Sequence, residues 1–472
     1  MKKLLPLLAL TGMVLVAPAA VRSANPTKPR IVVMTDSEVD DRCSMVHLLL
    51  CANDVDIAAL IQTNSCFQLH GWSHEHWLER QIDHYAEVYP NLKVHSADYP
   101  TPEELRQRVY VGDEDSTHIP KGVIYPMIFP GQEPMIDPST WPDTPGSDRI
   151  VEILLDDDPR TVHIQAWGGG NTAAKAFQKI KDQYPDQYDR AMAKVVMYNI
   201  WYQDAAGSYI ERHHPGVTLL LSHHFNGTWN YGSQRYTRDL VERLMHNGHG
   251  PLAADYMQDY ISEGDSPSFF YSLDNGLRSD EDPTYGGWGG RFYKVDGFEH
   301  VYRDVSRGTY TEWTEAVLRD FEMRLKWCVS PTYEEANHKP VITIAEGLDL
   351  SVHSGDEVTL TAQLQDFDKP DLDALWDTQK EVKMQAGMTK EDFIASWEEQ
   401  VEPLYGMFWQ YYEAGTCPCH VDLSYTGLTS IAFTAPEVSE PQTLHFIYEV
   451  ADQGDPALTS YARVIVSVLP RD

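Results

Sequence analysis

The sequence predicts an α/β fold: a mostly parallel β-sheet with helices on both faces, joined to a C-terminal β-sandwich. Two patterns carry that expectation. From Arg30 to about residue 330, short unbroken apolar runs alternate with amphipathic helical stretches, as strands buried on both faces require. After Cys328 the helical period disappears, and short alternating segments separated by turn residues replace it. A chain of 472 residues, 42% hydrophobic and 11% aromatic, has ample material for a core in each part.

Residues 1–24 stand apart as a signal peptide. Lys2 and Lys3 precede an apolar run from Leu4 to Val16, and Ala17, Ala19 and Ala20 offer a small-residue cleavage site. The run falls short of the ~20 residues a membrane span needs. A periplasmic or secreted mature protein is therefore expected. The domain proper, 25–330, opens with a strand over Arg30–Thr35 and a helix over 42–52. A second strand over 57–63 leads into a long helix over 72–89. A helix over 148–155 precedes a strand over 161–166, which runs into Gly168-Gly169-Gly170 and a helix over 171–184. Residues 194–198 and 217–222 read as further core strands. A polar linker, 331–340, separates this domain from an immunoglobulin-like sandwich over 341–472. Its strands are read at Val341–Ile344, 357–364, 431–433, 444–450 and 461–468, with a charged helical insertion near 371–405.

Charge excludes some function classes. The 37 Lys and Arg residues against 71 Asp and Glu leave a net charge of −34, which repels phosphate backbones and anionic lipid surfaces. Neither nucleic acid nor a membrane is an expected partner. Six cysteines form no disulfide framework: Cys43 and Cys51 read as buried thiols. Cys417-Pro418-Cys419 reads as too closely spaced for an ordinary bridge between its own members. Neighbouring histidines such as His213-His214 and His223-His224 lack a third ligand at zinc spacing. No serine-nucleophile elbow or phosphate-binding loop appears.

The chemistry concentrates at the end of the first strand, in Asp36-Ser37-Glu38-Val39-Asp40-Asp41. Carboxylates gathered this closely repel one another unless a cation neutralises them, and all-oxygen donors favour a hard ion, Ca²⁺ or Mg²⁺, over zinc. Asp40 and Asp41 also suit the first turn of a helix, where acidic groups complement the dipole. Met34 to Asp41 resembles the amino-terminal D-T-D-x-G-x-D-D motif of nucleoside hydrolases. More closely, the chain resembles exported cellulose-binding proteins that carry a nucleoside-hydrolase-like domain followed by a small β domain. The segments 35–41, 165–172 and 282–291 carry that resemblance, as do 409–416 and 461–466 in the β domain.

That resemblance implies a Ca²⁺ site built from Asp36, Asp40, Asp41, the Gly170 carbonyl and a late aspartate, Asp265, with Asp274 as the second choice. It also implies that Asp36 acts as base toward an attacking water and that Asn64 lines a sugar pocket. Departures from the family pattern are plain: its first motif aspartate is Met34 here, its Pro-Gly is Ser37-Glu38, and the histidine before its late aspartate is Gly264. Aromatic and polar residues just after strands complete the expected substrate contacts. Trp167, Asn171, Gln203, Asp204, Trp288 and Arg291 are read as lining the pocket, the two indoles offering flat faces to a sugar. The expected function is calcium-dependent hydrolysis of a glycosidic bond in a carbohydrate or nucleoside-like small molecule. The alternative is a non-catalytic cellulose-binding protein using the same pocket. The sequence leaves the oligomeric state open.

Overall fold

The computed structural model describes residues 28–120, 135–229, 238–368, 372–385, 387–398 and 404–471. The signal-peptide assignment lies outside these residues. β1 (Arg30–Thr35) is buried along its whole length. Ile31 and Val33 join one core with the helix Val39–Leu50. Val32 and Met34 join another with the helices Pro145–Leu155 and Asn171–Gln183. Burial on both faces is why the run is uniformly apolar.

β2 (Asp56–Gln62), β3 (Val109–Val111), β4 (Val162–Ala166), β5 (Val195–Ile200) and β6 (Thr218–Ser222) extend the sheet. β7 (Phe292–Lys294) and β8 (Val301–Asp304) complete it in the order β3-β2-β1-β4-β5-β6-β8-β7. All neighbours pair in parallel except β7 with β8. The chain travels from β1 outward through β2 and β3, then returns to lay β4, β5 and β6 on the other side. β1 is thus a topological switch point, where a crevice forms outside the carboxyl ends of the strands.

The long helix runs Trp77–His95 instead of 72–89. His76 adopts a left-handed conformation (φ 52°) that closes the preceding turn, and buried Tyr85, Val88 and Leu92 carry the helix through Pro90. In the C-terminal part, β9 (Val341–Ile344), β10 (Asp349–His353), β11 (Glu357–Gln365) and β12 (Tyr405–Gln410) precede β13 (Ser424–Tyr425) and β14 (Ser430–Thr434). β15 (Gln442–Ala451) and β16 (Thr459–Leu469) follow. They form two four-stranded sheets, β10-β16-β15-β12 and β13-β14-β11-β9, around one core. Two helices, Leu372–Gln385 and Lys390–Glu398, fill the connection from β11 to β12, with the Trp376 and Phe393 rings 5.5 Å apart.

One expectation about the cysteines is corrected. Cys417 and Cys419 are bridged to each other, and their Cα atoms, 5.4 Å apart, lie within the span a disulfide needs. A bend at Thr416 and Cys417 draws the backbone in to that separation. Cys43, Cys51 and Cys328 are buried free thiols, and Cys66 is half-buried.

Candidate functional site at the head of the sheet

The turn after β1 is held in an uncommon shape. Ser37 has φ 72°, a left-handed conformation that costs a non-glycine residue free energy and persists only when its surroundings fix it. Three bonds do so: Ser37 N donates to Thr35 Oγ1, Trp77 Nε1 donates to Ser37 Oγ, and Arg42 Nε donates to the Ser37 carbonyl. Asp36 is thereby turned back over the first turn of the helix Val39–Leu50. Asp41 Oδ1 accepts from Thr35 Oγ1 (2.5 Å) and from the Asp36 amide (3.1 Å).

Asp265 arrives from the opposite side, just before the short helix Ser266–Phe270. Its carbonyl accepts from Ser268 Oγ (2.6 Å), which in turn accepts from Trp167 Nε1 (2.7 Å). Asp40, Asp41 and Asp265 each bring a carboxylate oxygen within 4.8 Å of the others. Asp36 stands beside them: it is fully buried, and a Cβ on Gly168 would meet its carboxyl carbon at 2.7 Å.

Electrostatics show what this crowding costs without a cation. Burial, with the Glu38 charge adding, pushes Asp36 up to about 7 and Asp40 up to about 6. Asp41 and Asp265 lie well above the usual carboxylate range, through burial first and repulsion within the cluster second. The hydrogen-bond inventory points the same way. Asp36 Oδ2, Asp265 Oδ2, Asn64 Oδ1, Asn171 Oδ1 and Gln203 Oε1 are all buried acceptors with no donor. Buried polar atoms are seldom left unpaired, so a shared excess of acceptors along one sheet edge calls for an occupant rich in positive charge or hydroxyl donors. The donor set fits calcium, which takes six to eight oxygens and suits carboxylates and carbonyls.

The other predicted site residues already have part of their polar surface engaged. Gly170 caps the helix Asn171–Gln183, and its carbonyl accepts from Ala174 N (3.0 Å), so one lone pair is already engaged. Asn64 and Asn171 are fixed by their amide nitrogens, which donate to the carbonyls of Leu69 and His118, leaving their buried oxygens without a donor. Gln203 is held in the same way by the Trp167 and Ile200 carbonyls. The two oxygens of Asp204 accept the Asn171 and Ala206 amides and tie together two helix starts. Burial still pushes it up to about 6.

The two tryptophans do not present open faces. Trp167 is fully buried and pins the Asp265 turn through Ser268. Trp288 is 1% exposed, edge-on to Phe270, with Lys339 Nζ 4.8 Å over its ring. Arg291 reaches into the β domain, donating to the Glu413 carbonyl. In each case the Gly-rich segment that suggested exposure is covered by packing from elsewhere in the chain. Asp274 lines a cavity of ≈550 Å³ with Lys28, Arg160 and His163, at the amino ends of the strands and away from the cluster. Sequence reasoning passed over Cys66 and Gln68, which stand at the rim: Cys66 N donates to the Gln203 carbonyl, and Gln68 Nε2 to Glu38 Oε1. Their position right after Asn64 was the available signal.

A mostly parallel sheet whose strand order reverses at β1, with an aspartate cluster at that strand's carboxyl end, places the first domain in the open α/β class whose ligands bind at such a switch point. Residues 30–292 match the family described as cellulose-binding Sde182, nucleoside hydrolase-like domain, and residues 395–468 match the C-terminal domain of cellulose-binding protein Sde0182. The chain belongs to this family. Among solved structures, a nucleoside hydrolase-related hypothetical protein from Saccharophagus degradans, described as associated with carbohydrate metabolism, is 24% identical. It covers 93% of this chain and 100% of its own, with a TM-score of 0.76, and so shares the fold. The effector protein XOO4466 is 13% identical over 64% of this chain and 93% of its own, at a TM-score of 0.33. No curated protein matches the chain. No helix among the described residues is long and apolar enough to cross a membrane.

Proposed function

We propose that the protein is an exported, calcium-dependent hydrolase of glycosidic bonds, N- or O-glycosyl, acting on a carbohydrate-related substrate. The observation that carries this reading is the meeting of Asp40, Asp41 and Asp265 beside Asp36, whose own Oδ2, like Asp265 Oδ2, is buried without a donor. Calcium held by these carboxylates would neutralise their repulsion and orient a water and sugar hydroxyls. Asp36 takes the proton of the attacking water through its free Oδ2, as positive charge develops at the anomeric carbon. Asn64, Asn171 and Gln203, each anchored by its nitrogen, offer oxygens to sugar hydroxyls. Their positions cost no reorganisation on binding, because backbone carbonyls already fix them.

A binding-only role is favoured by one specific feature. Gly264 stands where the resembled family carries a histidine, so the departing group finds no acid at that position. The cellulose-binding description of the family points to a carbohydrate ligand in either case. Incubation with cello-oligosaccharides and with nucleosides, in calcium and in chelator, separates the readings. New reducing ends that vanish with chelator support hydrolysis. Retention on insoluble cellulose without any product supports binding alone. Asp36→Asn is expected to lower turnover by ~10²–10⁴-fold, the range for loss of a general base. Turnover unchanged in that variant removes Asp36 from the mechanism.

A further inference from the structure

The β domain is bolted to the loop that supports Asp265. Arg463, on β16, is fully buried. Among the described residues its guanidinium meets no carboxylate within hydrogen-bonding distance; instead Nε donates to the Leu277 carbonyl (2.6 Å), Nη2 to the Gly286 carbonyl (2.8 Å) and Nη1 to His445 Nδ1 (3.3 Å) in its own domain. Its backbone amide donates to the Gly276 carbonyl (2.9 Å). Tyr285 and Tyr411 flank the guanidinium, 5.6 and 4.9 Å from their ring centres, so the cation is solvated by carbonyls and aromatic faces.

From Gly286 the contact continues into the first domain. A Cβ on Gly289 would lie 2.5 Å from Tyr271 N and 2.6 Å from the Pro267 carbonyl, so this loop lies directly against the backbone of the helix Ser266–Phe270. The next contact is Trp288, edge-on to Phe270 at 6.2 Å. Tyr198 Oη donates to the Gly289 carbonyl, fixing the loop from below. Asp265 is the residue that starts this helix, and its carbonyl is held by Ser268 within it.

We infer that Arg463 is a positioning residue for the Asp265 carboxylate, acting through the Gly286–Gly290 loop, so that the β domain helps set the affinity of the metal site. This rests on the calcium reading above. Loss of an outer partner of a ligand typically costs ~10–100-fold in metal affinity, and a weakening at the low end of that range is expected. The test is calcium titration by calorimetry, at a temperature where each protein is fully folded by circular dichroism. The proteins are wild type, Arg463→Met, Gly289→Ala and, as control, Leu360→Ala in the core of the sandwich. Gly289→Ala probes the same path from within the first domain if Arg463→Met fails to fold. The expected result is tight binding by wild type and by the control, and weaker binding by either path variant. Wild type that binds no calcium overturns the metal reading itself. Wild-type binding matched within about twofold by the folded path variants, or an equal loss in the control, overturns the coupling and leaves the metal reading standing.

Discussion

Asp36 and Asp40 give the site a pH dependence whose sign follows from their direction of shift. In the metal-free fold they are pushed up to about 7 and about 6, from an ordinary value of 3.8. The folded chain therefore holds protons that the unfolded chain has released. Their contribution to stability is fully present below the unfolded value and is lost as pH rises through about 6 to 7. On the calcium reading proposed above the ion would bind the ionised carboxylates, so the stabilisation it adds would grow over the same window. The melting temperature gained from saturating calcium over chelator is expected to be small near pH 5 and largest near pH 8. An equal gain at both values would mean that calcium acts elsewhere. The aspartates were legible in the sequence because they are contiguous and follow a buried strand. Trp167 and Trp288 were not, because exposure depends on what packs over a side chain, and their covers come from residues about 100 and 50 positions away, Ser268 and Lys339.

At the scale of elements, the loop after β4 decides how closely the strands' ends approach. A Cβ on Gly169 would fall inside contact distance of the Asn64 carbonyl and lie 2.5 Å from Asp204 Oδ2, while Gly169 N already donates to that carbonyl. The ends of β2, β4 and β5 therefore converge only around a residue without a side chain. Gly169→Ala is expected to destabilise the protein by about 1–3 kcal/mol, the usual cost of overpacking, and to weaken calcium-dependent stabilisation with it. Chemical denaturation in calcium and in chelator measures both; an unchanged midpoint in each would show that the loop yields freely. The strands that converge there were readable because two-sided burial makes them uniformly apolar. β7 and β12 were not: Tyr293 and Lys294 expose both faces of β7, Tyr405 and Met407 leave one face of β12 open, and neither segment shows a run long enough to announce a strand. The Cys417–Cys419 bridge escaped for a similar reason, since spacing in sequence does not report the separation that the backbone adopts.

The whole molecule is held by a core that the sequence's change of texture conceals. Alternation after residue 340 suggests a separable module, yet Tyr411, Ile447, Leu458 and Tyr461 of the sandwich lie in one apolar cluster with Leu277, Trp288 and Trp313 of the first domain. The Trp313 and Tyr461 rings meet edge to face at 5.4 Å, and Tyr411 Oη donates to Glu312 Oε1. Arg463 adds a buried charge that gives two of its hydrogen bonds to the first domain's carbonyls and a third to His445 in the sandwich. Separable domains usually meet through small, polar contacts; this one is apolar and carries a cation that cannot be left alone. Cutting the chain after residue 330 would expose Trp288, Trp313 and Leu277 together, a patch of the kind that drives association. Such a fragment, expressed from residue 25, is expected to aggregate or to bind a hydrophobic dye strongly, and to lose calcium binding even where its helical signal persists. A soluble, monodisperse fragment that melts like the whole protein would show that the two halves merely touch.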